Sequence, residues 1–137
     1  MSEKKSYKYK TVMLVDDNDI DNFVNRKTIE AIGFAEKIEA HINPETALEF
    51  LQMLEKGGEQ MKKDAPQIIF LDINMPLMDG FEFVKKFEKL NEATKKNIRI
   101  ILLSSSMNPA DREHAKEFKS IHSFVSKPLS REQLQKI

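Results

Sequence analysis

Three short apolar runs, each ending on a polar residue, limit what this chain can fold into more than any other feature. They are "TVMLV" (11–15), "QIIFL" (67–71) and "IRIILL" (98–103), and their interiors are almost purely aliphatic or aromatic. A strand with one wet face alternates apolar and polar residues. A strand that is apolar throughout must be covered on both faces, which is the condition of a parallel sheet between two layers of helix. Two weaker, alternating runs, "KIEAH" (37–41) and "SFVSK" (123–127), suit the edges of the same sheet.

The segments between these runs carry helical periodicity. Ile20, Phe23, Val24, Lys27, Ala31 and Ile32 form one stripe, with Gly33 placed to end it. Ala47, Leu48, Leu51 and Leu54 form a second, opened by Asn43 as N-cap and Pro44 at the first helical position. Phe83, Val84, Phe87 and Leu90 form a third. Asn108-Pro109 repeats the same opening for a fourth helix, whose apolar face is reduced to Ala115 and Phe118. Ser130 and Gln133 have the spacing of a capping box for a short fifth helix. The polar, Gly-Gly-bearing segment 55–66 reads as a long surface loop. Five βα units in a row predict a doubly wound α/β fold with a five-stranded parallel sheet. Residues 1–137 are expected to be a single domain in which about 1–8 form a basic lead-in and no output domain follows.

In open α/β sheets, ligands bind outside the carboxyl ends of the strands, where the strand order reverses. With the order 2-1-3-4-5, strands one and three flank that point. Strand one runs into Asp16 and Asp17, strand three into Asp72, strand four into Ser104 and strand five into Lys127. Three carboxylates brought together raise one another's pKa unless a cation intervenes. An all-oxygen set suits a hard divalent ion, Mg²⁺ or Mn²⁺, which accepts one or two carboxylates and keeps several waters. With Lys127 as a further positive charge and Ser104 as a hydrogen-bond donor, the inventory suits transfer of an anion onto a carboxylate, as in aspartyl-phosphate chemistry.

Other chemistries lack their parts. Lys+Arg and Asp+Glu balance at 22 each, so no summed field favours nucleic acid. The chain has no cysteine, which removes disulfides, thiolate metal sites and cysteine nucleophiles. Neither a signal peptide nor an apolar run of about 20 residues is present, so a cytoplasmic protein with no membrane partner is expected. The four glycines are not spaced as a phosphate cradle, and Ser104, Ser105 and Ser106 lack the Gly-x-Ser-x-Gly setting of a hydrolase nucleophile. His41, His114 and His122 are scattered and read as surface or edge residues.

The motifs together resemble the response-regulator receiver domain of two-component signalling, in its single-domain, chemotaxis-regulator-like form. "MLVDDN" (13–18) resembles that family's acidic pair, "LDINMPLMDG" (71–80) its phosphoacceptor segment, "IILLSS" (100–105) the strand ending in a Ser or Thr switch, and "FVSKP" (124–128) its aromatic and Lys-Pro motif. The resemblance implies a flavodoxin-like fold and a phosphoprotein that is a signalling domain rather than an enzyme. It implies Asp72 as phosphoacceptor, with Asp16, Asp17, Asp72 and the Asn74 backbone carbonyl around the metal. Lys127 would pair with the phosphate, and its bond to Pro128 would be cis. Ser104 and Phe124 would act as the switch, with Ser105 the alternative by one register, and Asn74 and Ser106 would tune phosphoryl lifetime. A histidine kinase or histidine phosphotransfer protein would be the donor, and the face of the fourth helix, fifth strand and fifth helix would engage an unknown downstream protein. Two rival readings are a haloacid-dehalogenase-like phosphatase, which carries an acid where this chain has Asn74, and a pseudo-receiver that is never phosphorylated.

Overall fold

The computed structural model describes residues 6–137. Five parallel strands form one sheet: β1 (Tyr9–Val15), β2 (Ala35–His41), β3 (Ile68–Asp72), β4 (Arg99–Ser104) and β5 (Ile121–Ser126), in the order β2-β1-β3-β4-β5. The expected fold class and strand order are those observed, and β2 and β5 are the edges. Each strand sits within about two residues of the run that signalled it.

The continuous apolar runs are explained by what lies on either side of the sheet. Met13, Val15, Ile69, Leu71, Ile100 and Leu102 face one core, filled by α2 (Pro44–Lys56), α4 (Gly80–Phe87) and Ala115 of α6 (Pro109–Ala115). Val12, Leu14, Ile68, Phe70, Ile101 and Leu103 face the other, closed by Ile29 of α1 (Asp19–Ala31) and Leu134 of α7 (Arg131–Gln135). Successive residues on each central strand therefore alternate between two dry layers, and neither face could be polar.

Local signals fixed most helix ends. Asn43 and Asn108 cap α2 and α6 through their side chains, with Pro44 and Pro109 in the first turn. Ser130 and Gln133 form the capping box of α7. Gly33 follows α1 with φ +64°, the left-handed turn that releases the chain into β2. A second capping box, Asp79 with Glu82, opens α4 and was not anticipated.

The structure corrects the sequence reading in two places. Segment 55–66 is largely helical: α2 runs to Lys56, and a short helix, α3 (Gly58–Lys62), follows. Another short helix, α5 (Glu92–Lys95), lies after the buried Leu90. The largest difference is the orientation of α1. Its apolar stripe faces outward, with Ile20, Phe23 and Val24 at 72%, 60% and 39% exposure, while the buried face is Asn22, Asn25 and Ile29. Each asparagine makes a buried bond there: Asn22 Nδ2 donates to the Asp16 carbonyl at 2.9 Å, and the Leu129 N–H donates to Asn25 Oδ1 at 2.9 Å, while Asn22 Oδ1 and Asn25 Nδ2 are left without a partner. Hydrogen bonds to otherwise orphaned backbone groups outweighed the burial of three apolar side chains. His114 lies half-buried on α6 and stacks on Phe81 with ring centroids 4.0 Å apart.

Gly80 locks the turn after β3. Its N–H donates to the Ile73 carbonyl at 2.8 Å, and a Cβ there would lie 3.0 Å from both the Asp72 carbonyl oxygen and the Ile73 Cα. Those obstacles are backbone and cannot rotate away. Gly80→Ala should therefore cost about 1–3 kcal/mol, visible as a lower midpoint in chemical denaturation, and should shift the Asp72 amide resonance. Unchanged stability and spectrum would show that the strand end is not held by this contact.

Candidate functional site

Burial of the central strands leaves their carboxyl ends as a rim where polar side chains from several elements meet. Asp16 follows β1 directly, is 2% exposed, and is fixed by the Asn18 N–H donating to its Oδ1 at 3.0 Å. Asp17 is exposed beside it. Asp72 is the last residue of β3 and is 3% exposed. Carboxylate oxygens of Asp16, Asp17 and Asp72 all lie within 4.8 Å of one another.

Lys127, just past β5, reaches into this group. Its Nζ lies 3.1 Å from Asp16 Oδ2, 3.2 Å from Asp72 Oδ1 and 2.7 Å from Asp21 Oδ2. The Lys127 N–H donates to the Ser104 carbonyl at 2.9 Å, which fixes its backbone to the end of β4, and the Lys127–Pro128 bond is cis. Three carboxylates, from the end of β1, the first turn of α1 and the end of β3, thus converge on a single ammonium.

The electrostatics follow from burial. Desolvation and the neighbouring Asp16 charge push Asp72 up to about 6, against the opposing pull of Lys127. Asp16 is raised for the same first reason, partly offset by the Asn18 N–H and Lys127. Burial alone would lower Lys127, but its bonds to Asp21 and Asp16 and the charges of Asp16 and Asp72 outweigh that and raise it above the ordinary lysine value. One lysine therefore leaves the carboxylates only partly compensated. Three hard oxygen donors in such a state fit a small divalent cation, which would relieve the remaining repulsion.

Ser104 ends β4 fully buried, and its Oγ accepts from the Ser106 N–H at 3.2 Å and the Met107 N–H at 3.1 Å. Ser105 and Ser106 are exposed, and Met107 has φ +52°, so this turn holds a non-glycine residue in the left-handed region. Phe124 of β5 is half-buried, with the Arg112 guanidinium 5.6 Å from its ring centroid. Asn74 is exposed in the turn after Asp72.

Sequence reasoning overlooked Asp21, although it makes the shortest contact to Lys127. Its only signal is its position in the first turn of α1, where an acid usually needs no explanation beyond the helix dipole.

Because native Asp72 holds its proton up to about pH 6 while an unfolded aspartate releases it near 3.8, ionised Asp72 destabilises the metal-free fold as pH rises through that window. Asp72→Asn should therefore be more stable than its parent by about 1–3 kcal/mol at pH 7. The difference should vanish below about pH 4 in denaturant titrations without divalent cations. A gain persisting at low pH would mean that repulsion is not its cause.

Comparison with known proteins places this arrangement. The sequence model of the response regulator receiver domain matches residues 12–137. The two-component response regulator ORR41 of Oryza sativa subsp. japonica is 30% identical over 126 residues, spanning 90% of this chain and 87% of the rice protein. The sensor histidine kinase CheAY of Helicobacter pylori is 30% identical over 90% of this chain, which spans 14% of that longer protein. A crystal structure of a two-component response regulator from Cytophaga hutchinsonii superposes with a TM-score of 0.82 at 33% identity, covering 93% of this chain and 92% of that one. The fold, the acid-lined rim and these matches agree: the chain belongs to the response-regulator receiver domains of two-component signalling, which are signalling domains and not enzymes.

Proposed function

We propose that this receiver accepts a phosphoryl group on Asp72 from a histidine kinase or histidine phosphotransfer protein. The observation that carries the reading is the meeting of Asp16, Asp72 and Lys127 within 3.1–3.2 Å contacts at the ends of β1, β3 and β5. A carboxylate oxygen of Asp72 attacks the phosphorus of a phosphohistidine, the P–N bond breaks, and the imidazole leaves and takes up a proton. Asp16, Asp17 and Asp72, with the Asn74 backbone carbonyl, are the residues that would hold Mg²⁺ or Mn²⁺. That ion supplies charge neutralisation at the transferring phosphoryl oxygens. Lys127 donates to a phosphoryl oxygen and stabilises the charge that the transfer brings into a buried site.

Ser104 is the proposed switch. A rotation that turns its hydroxyl toward the phosphoryl group would carry Oγ away from the Ser106 and Met107 amides that donate to it, and so loosen the turn between β4 and α6. Phe124 then moves into the vacated space and changes the α6–β5–α7 face that a downstream protein would read. Asn74 and Ser106, exposed at the mouth, are placed to tune hydrolysis by water. The outward apolar face of α1, Ile20, Phe23 and Val24, begins three residues after Asp17 and gives a donor protein an apolar surface beside the site. A cytoplasmic location is part of this reading, because the proposed phosphoryl donor and output proteins would meet the chain there.

Acetyl phosphate with Mg²⁺ should add one phosphoryl group, detected by mass and lost in Asp72→Asn. Asp17→Ala should weaken Mg²⁺ binding and slow uptake together. A phosphorylated Asp72→Asn protein would contradict the assignment. For the donor surface, Phe23→Glu should slow transfer from a phosphorylated kinase by about tenfold or more, as interface hot spots do, while leaving uptake from acetyl phosphate intact. Equal loss with both donors would show that the substitution acts on the site, not on docking.

A further inference from the structure

We propose that Asp21 is a positioning residue that competes with the phosphoryl group for Lys127, and so holds this receiver toward its unmodified state. The inference rests on the reading of Asp72 as phosphoacceptor. A lysine ammonium has three protons, and here three carboxylates surround it, Asp21 most closely at 2.7 Å. A phosphoryl group on Asp72 takes over that carboxylate's place on the ammonium and brings further anionic oxygens to it, so Asp16 or Asp21 yields as those oxygens engage.

The geometry selects which one. Asp16 has a side chain only 3% exposed, and its other oxygen is held by the Asn18 N–H. Asp21 has a side chain 38% exposed, so water can replace the lysine there at little desolvation cost. The lysine backbone cannot follow freely. Its N–H is bound to the Ser104 carbonyl, and two residues on, the Leu129 N–H is bound to Asn25 Oδ1 of the same helix that carries Asp21. The α1 helix thus grips both the side chain of Lys127 and the chain just beyond it. Engagement of a phosphoryl group becomes a swing of the Lys127 side chain away from Asp21, against a fixed backbone.

Removing the charge at Asp21 removes the competitor. With beryllofluoride as the phosphoryl probe and saturating Mg²⁺, Asp21→Asn should bind it about two- to fivefold more tightly than wild type. Asp21→Glu should restore wild-type affinity, since it restores the competing charge. In a Lys127→Ala background the Asp21→Asn gain should disappear, which a general change in surface charge or a loosened fold would not produce. Unchanged or weaker beryllofluoride binding by Asp21→Asn, or a gain that survives without Lys127, overturns the inference and leaves the phosphoacceptor reading standing. Failure of the wild-type protein to bind the probe overturns both.

Discussion

The structure depends on how one buried lysine balances more negative charge than it can neutralise. Lys127 meets Asp16, Asp21 and Asp72, and Asp17 stands beside them. Breaking up such a group by deleting a partner usually destabilises a protein, whereas this group resists its own assembly, because Asp72 is pushed up to about 6 in the metal-free site. A pocket in that condition favours added positive charge, which is what the proposed metal and the proposed reaction at Asp72 call for. The tension belongs to function and is tolerated because the rest of the fold is well packed.

That rest of the fold explains why the charges cannot escape one another. The central strands are dry on both faces, so their ends are fixed to within the tolerance of a packed core. Gly80 brings the chain back against Asp72 and Ile73, leaving no slack after β3. Asn22 and Asn25 tie α1 to the Asp16 carbonyl and to Leu129. Side chains that would spread apart in water are therefore held within hydrogen-bond distance by backbone contacts that are themselves buried.

Much of this was legible in the sequence because it rests on strong local signals. Uninterrupted Ile/Leu/Val/Phe runs left no choice but covered strands, and the switch-point rule then brought Asp16, Asp17, Asp72 and Lys127 to one rim. The caps at Asn43, Asn108 and Ser130 were readable for the same local reason. The face of α1 was not readable. An apolar stripe at 20, 23 and 24 and a polar stripe at 22 and 25 have equally helical spacing, and only the backbone groups they meet decide between them. Asp21 was hidden by the same fact, since an acid in a first helical turn looks ordinary until the partner more than a hundred residues away is placed beside it. Short helices α3 and α5 carry too few residues for periodicity to speak, and tertiary packing decides such cases.

The most direct test of the account is an NMR titration of the Asp72 side-chain carboxyl carbon, with and without Mg²⁺. Without divalent cation it should titrate near 6, well above an ordinary aspartate, and Mg²⁺ should drive its midpoint sharply downward as the added charge favours the ionised form. A midpoint near 3.8 that Mg²⁺ leaves unmoved would mean that Asp72 shares no pocket with its neighbouring acids, and the account would fail at its base.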